Sequence, residues 1–382
     1  MIQASVSQLT PRGKMQDYPH SRPVALEVCN LCKRFGDLYV VNHVSFEVTE
    51  GEFVFLIGPS GCGKTTTLRM IGGYETPSSG DILIRGRSMN RVPLDKRNIG
   101  MVFQNYALFP HMTVRRNVEF GLRIRKMPRA ERRDRVDATL ELVKLRDFAD
   151  RYPVQLSGGQ RQRVALARVI AYEPDILLLD EPLANLDKRL RDVMRVELKK
   201  LQEKVGITTL YVTHDQEEAL TMADRIIVLD QGNLLQVGSP KQVYNCPKTA
   251  FVATFLGETS SFRGQVDSIS SDLAHITIEG GLRASLLHLG GSLTVGDTLV
   301  ASIRPERVRL SRQPPQQQDN AFAGIVDFVS YAGAYVVYIV RSPDRSIVIR
   351  ASEPIPSGYP SFGEGDKVFA FWEPGHAVYV RE

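Results

Sequence analysis

The residues GPSGCGKTT at positions 58–66 match the phosphate-loop pattern G-x-x-x-x-G-K-[ST]. Five apolar residues within 52–57 precede the loop and predict a buried strand, and residues 66–71 predict the opening of a helix. A chance match to the pattern is the alternative, but the strand and the helix on either side of the loop argue against it. This stretch therefore predicts a nucleotide-binding site.

The chemistry of a triphosphate explains the residue types in this loop. Glycines let backbone N–H groups point inward, and the N-terminus of the following helix adds about half a positive charge. We expect Lys64 to reach the β- and γ-phosphates of ATP and the Thr65 hydroxyl to hold Mg²⁺. The predicted nucleotide-binding residues of the loop are Gly58, Ser60, Gly61, Cys62, Gly63, Lys64, Thr65 and Thr66.

The composition is that of a globular protein with two or three domains. The chain has 382 residues, of which 43% are hydrophobic and 24% are charged. No apolar run approaches the ~18 residues of a membrane span, so we expect any work at a membrane to go through a partner. The net charge of +5 permits contact with anionic lipid or nucleic acid, but no run of like charges favours either over a solvated surface.

The four cysteines predict reduced thiols in a cytosolic protein. Cys29 and Cys32 have C-x-x-C spacing, which also occurs in zinc and redox sites. No second pair of cysteine or histidine residues accompanies them, so we favour free thiols over a metal or a redox role.

Changes in composition and in the pattern of apolar residues along the chain predict three segments. Residues 1–23 are polar and lack the apolar core of a signal peptide, so we expect a flexible tail. Strands and helices alternate over 24–257, which predicts an α/β domain with a helical subdomain at about 104–172, including a helix over 129–149. Short alternating strands over 258–382 predict a small all-β, barrel-like domain, interrupted by a polar loop at 312–319.

A second motif, ILLLDEP at positions 176–182, supplies acids for the reaction. The apolar strand ends at Asp180, and parallel α/β sheets bind their ligands at this edge. Asp180 is therefore expected to hold Mg²⁺, and Glu181 to orient or deprotonate an attacking water. Two solvated acids at a strand end are the alternative, which the upstream phosphate loop makes the weaker one.

The third motif is LSGGQRQR at positions 156–163. Ser157 is expected to cap the following helix, and Gly158 and Gly159 to leave backbone N–H groups open to a phosphate. With this motif between the other two, the chain resembles the nucleotide-binding subunit of an ABC transporter over roughly residues 25–382. It looks most like bacterial importer ATPases of the polyamine, ferric iron and sugar group, because of NIGMVFQNYALFPHMTV (98–114), DEPLANLDKRLR (180–191), YVTHDQEEAL (211–220) and ASIRPERVRL (301–310).

The resemblance implies roles for further residues. It makes Gln104 a glutamine that touches Mg²⁺ and water, and His214 a histidine that contacts the γ-phosphate. It makes Phe35 the ring that stacks on adenine. By the same resemblance, Ser157, Gly159 and Gln160 bind the γ-phosphate held by the opposite subunit, and Asp187 links the two sites across the dimer. Phe35 as an ordinary core residue and His214 as an ordinary surface or core residue are the alternatives.

The resemblance also implies partners and location. It predicts a homodimer that binds ATP and Mg²⁺ at its interface, on the cytoplasmic face of the bacterial inner membrane. The surface near Gln104, Tyr106 and Phe109 would meet membrane permease subunits, which in turn receive cargo from a solute-binding protein; ordinary core aromatics are the alternative there. Polyamine is the first expectation for the cargo, followed by ferric iron, an organophosphonate or a sugar.

The β-rich domain resembles the paired oligonucleotide-fold (OB-like, TOBE-type) regulatory module of this family. We expect it to stabilise the dimer or to regulate it, and we do not expect it to bind nucleic acid. Two other hypotheses remain for the whole chain. A soluble ABC-type ATPase acting on nucleic acid or ribosomes would predict two cassettes or a long coiled coil, and a non-catalytic ATP-sensing scaffold would not need both Glu181 and His214.

Overall fold

The structure, a computed structural model, describes residues 22–270, 272–278, 280–288, 293–315, 320–344, 346–355 and 360–381. The predicted tail at 1–23 lies outside these residues except for its last two positions. Positions 316–319 of the predicted polar loop also lie outside them. Among the helices within these ranges, none is both long and apolar enough to cross a bilayer.

The first part of the chain alternates strands with helices. Its elements are, in chain order, β1 (Val24–Phe35), β2 (Leu38–Thr49), β3 (Phe53–Ile57), α1 (Lys64–Gly72), β4 (Ser79–Ile84), β5 (Arg87–Ser88), β6 (Ile99–Val102), α2 (Val114–Ile124), α3 (Arg129–Leu142), α4 (Gly158–Ile170), β7 (Ile176–Asp180), α5 (Lys188–Val205), β8 (Thr208–Thr213), α6 (Gln216–Met222), β9 (Arg225–Asp230), β10 (Asn233–Gly238), α7 (Pro240–Asn245) and α8 (Ala250–Phe255). The predicted α/β fold is confirmed.

A six-stranded sheet in the order β10-β9-β3-β8-β7-β6 forms the centre of this part. All of its neighbours pair in parallel except β10 with β9. Strands β3, β7 and β8 are buried along their whole length, which explains their nearly continuous apolar sequences. A four-stranded antiparallel sheet in the order β2-β1-β4-β5 lies beside it.

Alternate side chains of the central strands fill two separate cores. Phe53, Phe55 and Tyr211 face one core, together with residues of α4, α5 and α6. Val54 and Leu56 face the other, together with residues of α1, β1 and β2. This alternation follows from the two-residue period of a strand, and it fixes α1 and α4 on opposite faces of the sheet.

The helical segment differs from its sequence-based prediction at one end. The helix predicted over 129–149 ends at Leu142. Lys144 has a φ of 58°, and the N–H of Leu145 donates to the carbonyl oxygen of Leu140. A left-handed residue with such a bond closes the C-terminus of a helix, so the last part of the prediction is wrong.

The C-terminal part is entirely β-structure apart from short 3₁₀ turns among the described residues. Its strands are β11 (Ser260–Ser270), β12 (Leu273–Ile278), β13 (Arg283–Leu287), β14 (Thr298–Ile303), β15 (Arg309–Ser311), β16 (Ala321–Tyr331), β17 (Tyr335–Arg341), β18 (Val348–Pro354), β19 (Lys367–Phe371) and β20 (Ala377–Arg381). They form two five-stranded antiparallel sheets, β13-β12-β11-β14-β20 and β15-β19-β16-β17-β18. One core contains apolar residues of both sheets, so the predicted all-β domain is confirmed.

Hydrogen bonds join the two parts of the chain at a junction around α6 and α7. The N–H of Gly257 donates to Gln216 Oε1 at 2.7 Å, at the first turn of α6. The guanidinium of Arg304, which is buried, lies 4.1 Å from the ring centroid of Tyr244 and donates to the carbonyl oxygen of that residue. The Tyr244 hydroxyl donates to Glu306 Oε1 at 2.8 Å. Elements of both parts therefore share polar contacts.

Candidate ATP-binding and catalytic site

The phosphate loop has the backbone conformation that its glycines permit. Gly61 and Gly63 have φ angles of 81° and 99°, in the left-handed region that favours glycine. A Cβ atom on Gly63 would lie 2.4 Å from the carbonyl oxygen of Val40. Lys64 is buried and its Nζ donates to the carbonyl oxygens of Gly58 at 2.8 Å and of the next residue at 2.7 Å. The ammonium group therefore lies on the loop itself.

The other predicted loop residues differ in exposure. Ser60 and Gly61 are exposed, and Thr65 and Thr66 are half-buried. Cys62 is buried, and burial raises the pKa of its thiol although the Lys64 ammonium nearby lowers it. The thiol is therefore protonated at neutral pH, and the exposed loop positions are the ones open to a ligand.

Thr65 and Asp180 supply oxygen atoms that suit a magnesium ion. The Thr65 hydroxyl donates to Asp180 Oδ1 at 3.1 Å. Burial raises the pKa of Asp180, in opposition to the Thr65 hydrogen bond. Within the described ranges no group of three or more His, Cys, Asp or Glu residues is arranged to hold a metal. Mg²⁺ is usually held by one or two carboxylates together with substrate phosphates, so this pair fits a metal that is shared with ATP.

Glu181 brings together the other predicted catalytic residues. His214 Nδ1 lies 2.8 Å from Glu181 Oε1, and Gln104 Nε2 donates to Glu181 Oε2 at 3.4 Å. Glu181 itself has a φ of 45°, an uncommon conformation for a residue with a side chain. The carboxylate is thus held between the imidazole and the amide, and such a group can orient a water molecule or accept its proton. The predicted contact of Gln104 with a metal stays a prediction.

The strand order explains why these residues meet. The phosphate loop follows β3, His214 follows β8, Asp180 ends β7, and Gln104 follows β6 closely. These four strands are consecutive neighbours in the parallel sheet, so their carboxyl ends lie along one edge. The predicted site residues from four separate sequence positions are therefore gathered by a single sheet.

The signature turn lies at the start of α4. Ser157 caps the helix by accepting from the Gln160 N–H at 3.3 Å, and Gln160 Oε1 accepts from the Ser157 N–H at 2.9 Å. Ser157 is exposed. A Cβ atom on Gly158 would approach Leu186 to 2.9 Å, and one on Gly159 would approach Met194 to 3.3 Å. The glycines thus also allow close packing around α5, which the sequence analysis did not foresee.

Among the described residues, no hydrogen bond or ion pair joins residues 157–160 to the phosphate loop. Asp187 caps α5 by accepting from the Leu190 N–H at 2.9 Å.

Phe35 is 53% exposed at the end of β1, with the Lys33 ammonium 4.9 Å from its ring centroid. Phe35 is therefore not a core residue, and an exposed ring is available for stacking. The structure does not bring Phe35, Asp187 or the signature turn into contact with the group around Glu181.

One predicted surface residue is buried. Tyr106 is predicted to lie with Gln104 and Phe109 on the surface that meets a permease, but it is only 5% exposed and packs in the core beside the sheet. The prediction for Tyr106 is wrong, because its ring points inward from a left-handed backbone position. Gln104 is exposed and Phe109 is half-buried, so these two can still contribute to a surface.

The burial of Asp180 gives a prediction about stability. We expect Asp180→Asn to raise the free energy of unfolding at neutral pH by on the order of 1 kcal/mol, because it removes an incompletely compensated buried charge. A carboxyl whose pKa is raised in the folded state loses stability as pH rises through that pKa, so the gain should shrink in mildly acidic buffer. Thermal unfolding of both proteins in metal-free buffer, at neutral and at mildly acidic pH, checks this. An equal stabilisation by Asp180→Asn at both pH values would contradict it.

Comparisons with known proteins identify the family of the chain. The family model for the ABC transporter matches residues 41–184, and the model for the TOBE domain matches residues 301–380. The spermidine/putrescine import ATP-binding protein PotA of Rubrobacter xylanophilus is 46% identical over 360 residues, which cover 94% of this chain and 92% of that protein. The protein of the same name from Thermotoga maritima is 40% identical and covers 93% and 98%, respectively.

A solved structure is similar to a large part of the chain. The cbiO1 protein from Clostridium perfringens, part of the ABC transporter complex cbiONQ, has a TM-score of 0.54 and 32% sequence identity. The match covers 58% of this chain and 90% of that one.

The phosphate loop, the strand-end acids and the parallel sheet define an ATP-hydrolysing P-loop protein. The chain belongs to the ABC transporter ATP-binding proteins and carries a C-terminal TOBE domain. It is an ATPase that acts as a transporter subunit.

Proposed function

We propose that two copies of this chain enclose ATP between the phosphate loop of one copy and residues 157–160 of the other, and that hydrolysis drives the import of a polyamine. The observation that carries the dimer is the position of the signature turn. Ser157 in this turn is exposed, the turn is capped by its own side chains, and it makes no hydrogen bond or ion pair with the phosphate loop of its own chain among the described residues. Its N-terminal N–H groups at the start of α4 suit a terminal phosphate from elsewhere.

The residues along the sheet edge divide the chemistry between them. Lys64 moves from the loop carbonyl oxygens to the phosphates of ATP and neutralises part of their charge. Glu181 orients a water molecule for attack on the γ-phosphorus and accepts its proton as the bond to the ADP oxygen breaks. His214 and Gln104 hold the Glu181 carboxylate in place from two sides.

Thr65 and Asp180 are the residues that would hold Mg²⁺, and the ion would neutralise charge that develops on the phosphate oxygens. The support for this assignment is their 3.1 Å contact and the preference of the ion for such oxygens. Burial raises the pKa of Asp180, and a cation bound nearby would lower this pKa again by stabilising the charged carboxylate.

Polyamine import is proposed from the relatives that match most of the length of the chain. Several of them are named as spermidine/putrescine import proteins and are 40% to 46% identical. We place the chain on the cytoplasmic face of the membrane, where Gln104 and Phe109 would contact permease subunits. Stimulation of ATP hydrolysis by spermidine, in a complex reconstituted with the permease and the solute-binding protein, tests the cargo; ferric iron, an organophosphonate and a sugar are the comparisons.

A mixing experiment tests the shared site. Lys64→Ala disables the phosphate loop of a copy, and Ser157→Arg disables its signature turn, so each variant alone should be inactive. In a twofold dimer with shared sites, mixing them creates one intact site per heterodimer and should restore about a quarter of the wild-type activity. If each site lay within one copy, the mixture would stay inactive.

Two controls complete this test. Each variant is first mixed with itself at the same total concentration, and the mixture of both is then compared with the wild type. A Ser157→Ala variant is the milder partner for the case in which arginine disturbs folding. Restored activity in the mixture supports the proposal, and its absence with folded variants would contradict it.

A further inference from the structure

The segment that follows Gln104 has a strained backbone. Tyr106 and Ala107 have φ angles of 62° and 45°. Within the described ranges they are the only adjacent pair of non-glycine residues in the left-handed region. Such conformations cost free energy and persist only where the surroundings impose them, which often happens at functional sites. Surrounding groups must therefore stabilise the left-handed conformation of these two residues.

Arg168 on α4 is one such group. Its Nη1 donates to the carbonyl oxygen of Ala107 at 2.6 Å, and its Nη2 donates to the carbonyl oxygen of Tyr106 at 3.0 Å. The guanidinium carbon also lies 5.6 Å from the ring centroid of Phe109. A planar guanidinium offers donors on separate nitrogen atoms in a fixed fork, whereas a lysine ammonium has all of its donors on one nitrogen atom. Both strained residues are thus bound through their carbonyl groups by one side chain.

Asn185 holds the other end of the segment. Its Nδ2 donates to the carbonyl oxygen of Gln104 at 2.7 Å. The Tyr106 ring is buried in the core between these two contacts. The segment is therefore fixed at its start by the stretch before α5, in its middle by the core, and at its end by α4.

We propose that Arg168 is a positioning residue for Gln104, with Asn185 as its counterpart. Arg168 holds Tyr106 and Ala107 in the left-handed conformation, and this conformation sets the position from which the Gln104 amide reaches Glu181. Because α4 begins directly after Ser157, the same helix carries both the signature turn and the hold on this segment. The inference rests on the proposed role of Gln104 in the reaction.

Steady-state ATP hydrolysis by the full chain tests this. We expect Arg168→Ala to lower kcat about tenfold or more, as small displacements of catalytic groups do, with KM changed less than about twofold. Glycine adopts the left-handed conformation without strain. Adding Ala107→Gly to Arg168→Ala should therefore restore kcat to within about threefold of the wild type. Ala107→Gly alone should change kcat less than about twofold.

The rescue separates positioning from packing. If Arg168 only stabilised the helix, glycine at position 107 would not restore activity, and that result would overturn the proposal. If Arg168→Ala does not fold, Arg168→Lys replaces it in the same pair of measurements. Asn185 is exposed, so Asn185→Ala should fold and should also lower kcat; unchanged kcat in this variant would overturn the role of Asn185.

A failure of this inference and a failure of the proposed function give different experimental results. If the proposed function were wrong, the mixture of Lys64→Ala and Ser157→Arg would stay inactive. If only this inference were wrong, that mixture would regain activity while Arg168→Ala and Asn185→Ala kept their full kcat.

Discussion

Glu181→Gln should abolish turnover while leaving ATP bound. The substitution keeps the size of the side chain but removes the negative charge that lies 2.8 Å from His214 Nδ1. Without this charge the site loses the carboxylate that we propose accepts the proton of the attacking water. Loss of such a group typically lowers the rate by about 10²-fold or more. We expect the phosphate loop, with Lys64 and Thr65 intact, to bind ATP as before.

Two measurements on Glu181→Gln separate chemistry from binding. The rate of phosphate release should fall, and the proposed dimer predicts that the variant elutes at the size of two copies in size-exclusion chromatography with ATP and Mg²⁺. Glu203→Gln is the matched control, since Glu203 is an exposed acid away from this group. A Glu181→Gln protein that hydrolysed ATP at the normal rate would show that another group activates the water.

Lys64→Ala should weaken both binding and turnover. Lys64 is the buried cation of the loop, and its ammonium already lies on the loop carbonyl oxygens. Its removal leaves the terminal phosphates without this charge, and removing one such electrostatic contact typically costs about 10²-fold or more in rate. We therefore expect weak ATP binding in equilibrium titrations and no measurable hydrolysis.

The pattern of the two variants is more informative than either alone. Glu181→Gln should bind ATP without turnover, whereas Lys64→Ala should lose both. Lys126→Ala is a suitable control for Lys64→Ala, because Lys126 is exposed in the turn between α2 and α3. Normal hydrolysis by Lys64→Ala would end the assignment of residues 58–66 as the phosphate loop.

Local sequence patterns predicted the centre of the fold and of the site. The apolar runs of β3 and β7 and the residues after them depend on nearest neighbours along the chain, so a strand followed by a glycine loop or by acids is visible without a structure. The parallel order of the strands then brings these ends together. The all-β character of the C-terminal part was visible for the same reason.

Contacts between distant residues were not predictable in this way. The hydrogen bond from Arg168 to Ala107 joins residues that are 61 positions apart in the sequence. No local sequence pattern indicates either partner. The Tyr106 side chain points inward from a left-handed backbone position, and the local sequence NYAL does not predict that conformation. The helix over 129–149 was predicted too long, because Lys144 has no residue-type signal for a left-handed helix end such as glycine would give.

The junction between the two parts of the chain limits where the protein can be cut. A fragment ending at residue 257 would keep Tyr244 but would lose its partners Arg304 and Glu306. Expression of the ATPase part alone would thus expose a polar surface that the intact chain covers. A fragment for crystallisation or enzymology should accordingly retain the TOBE domain.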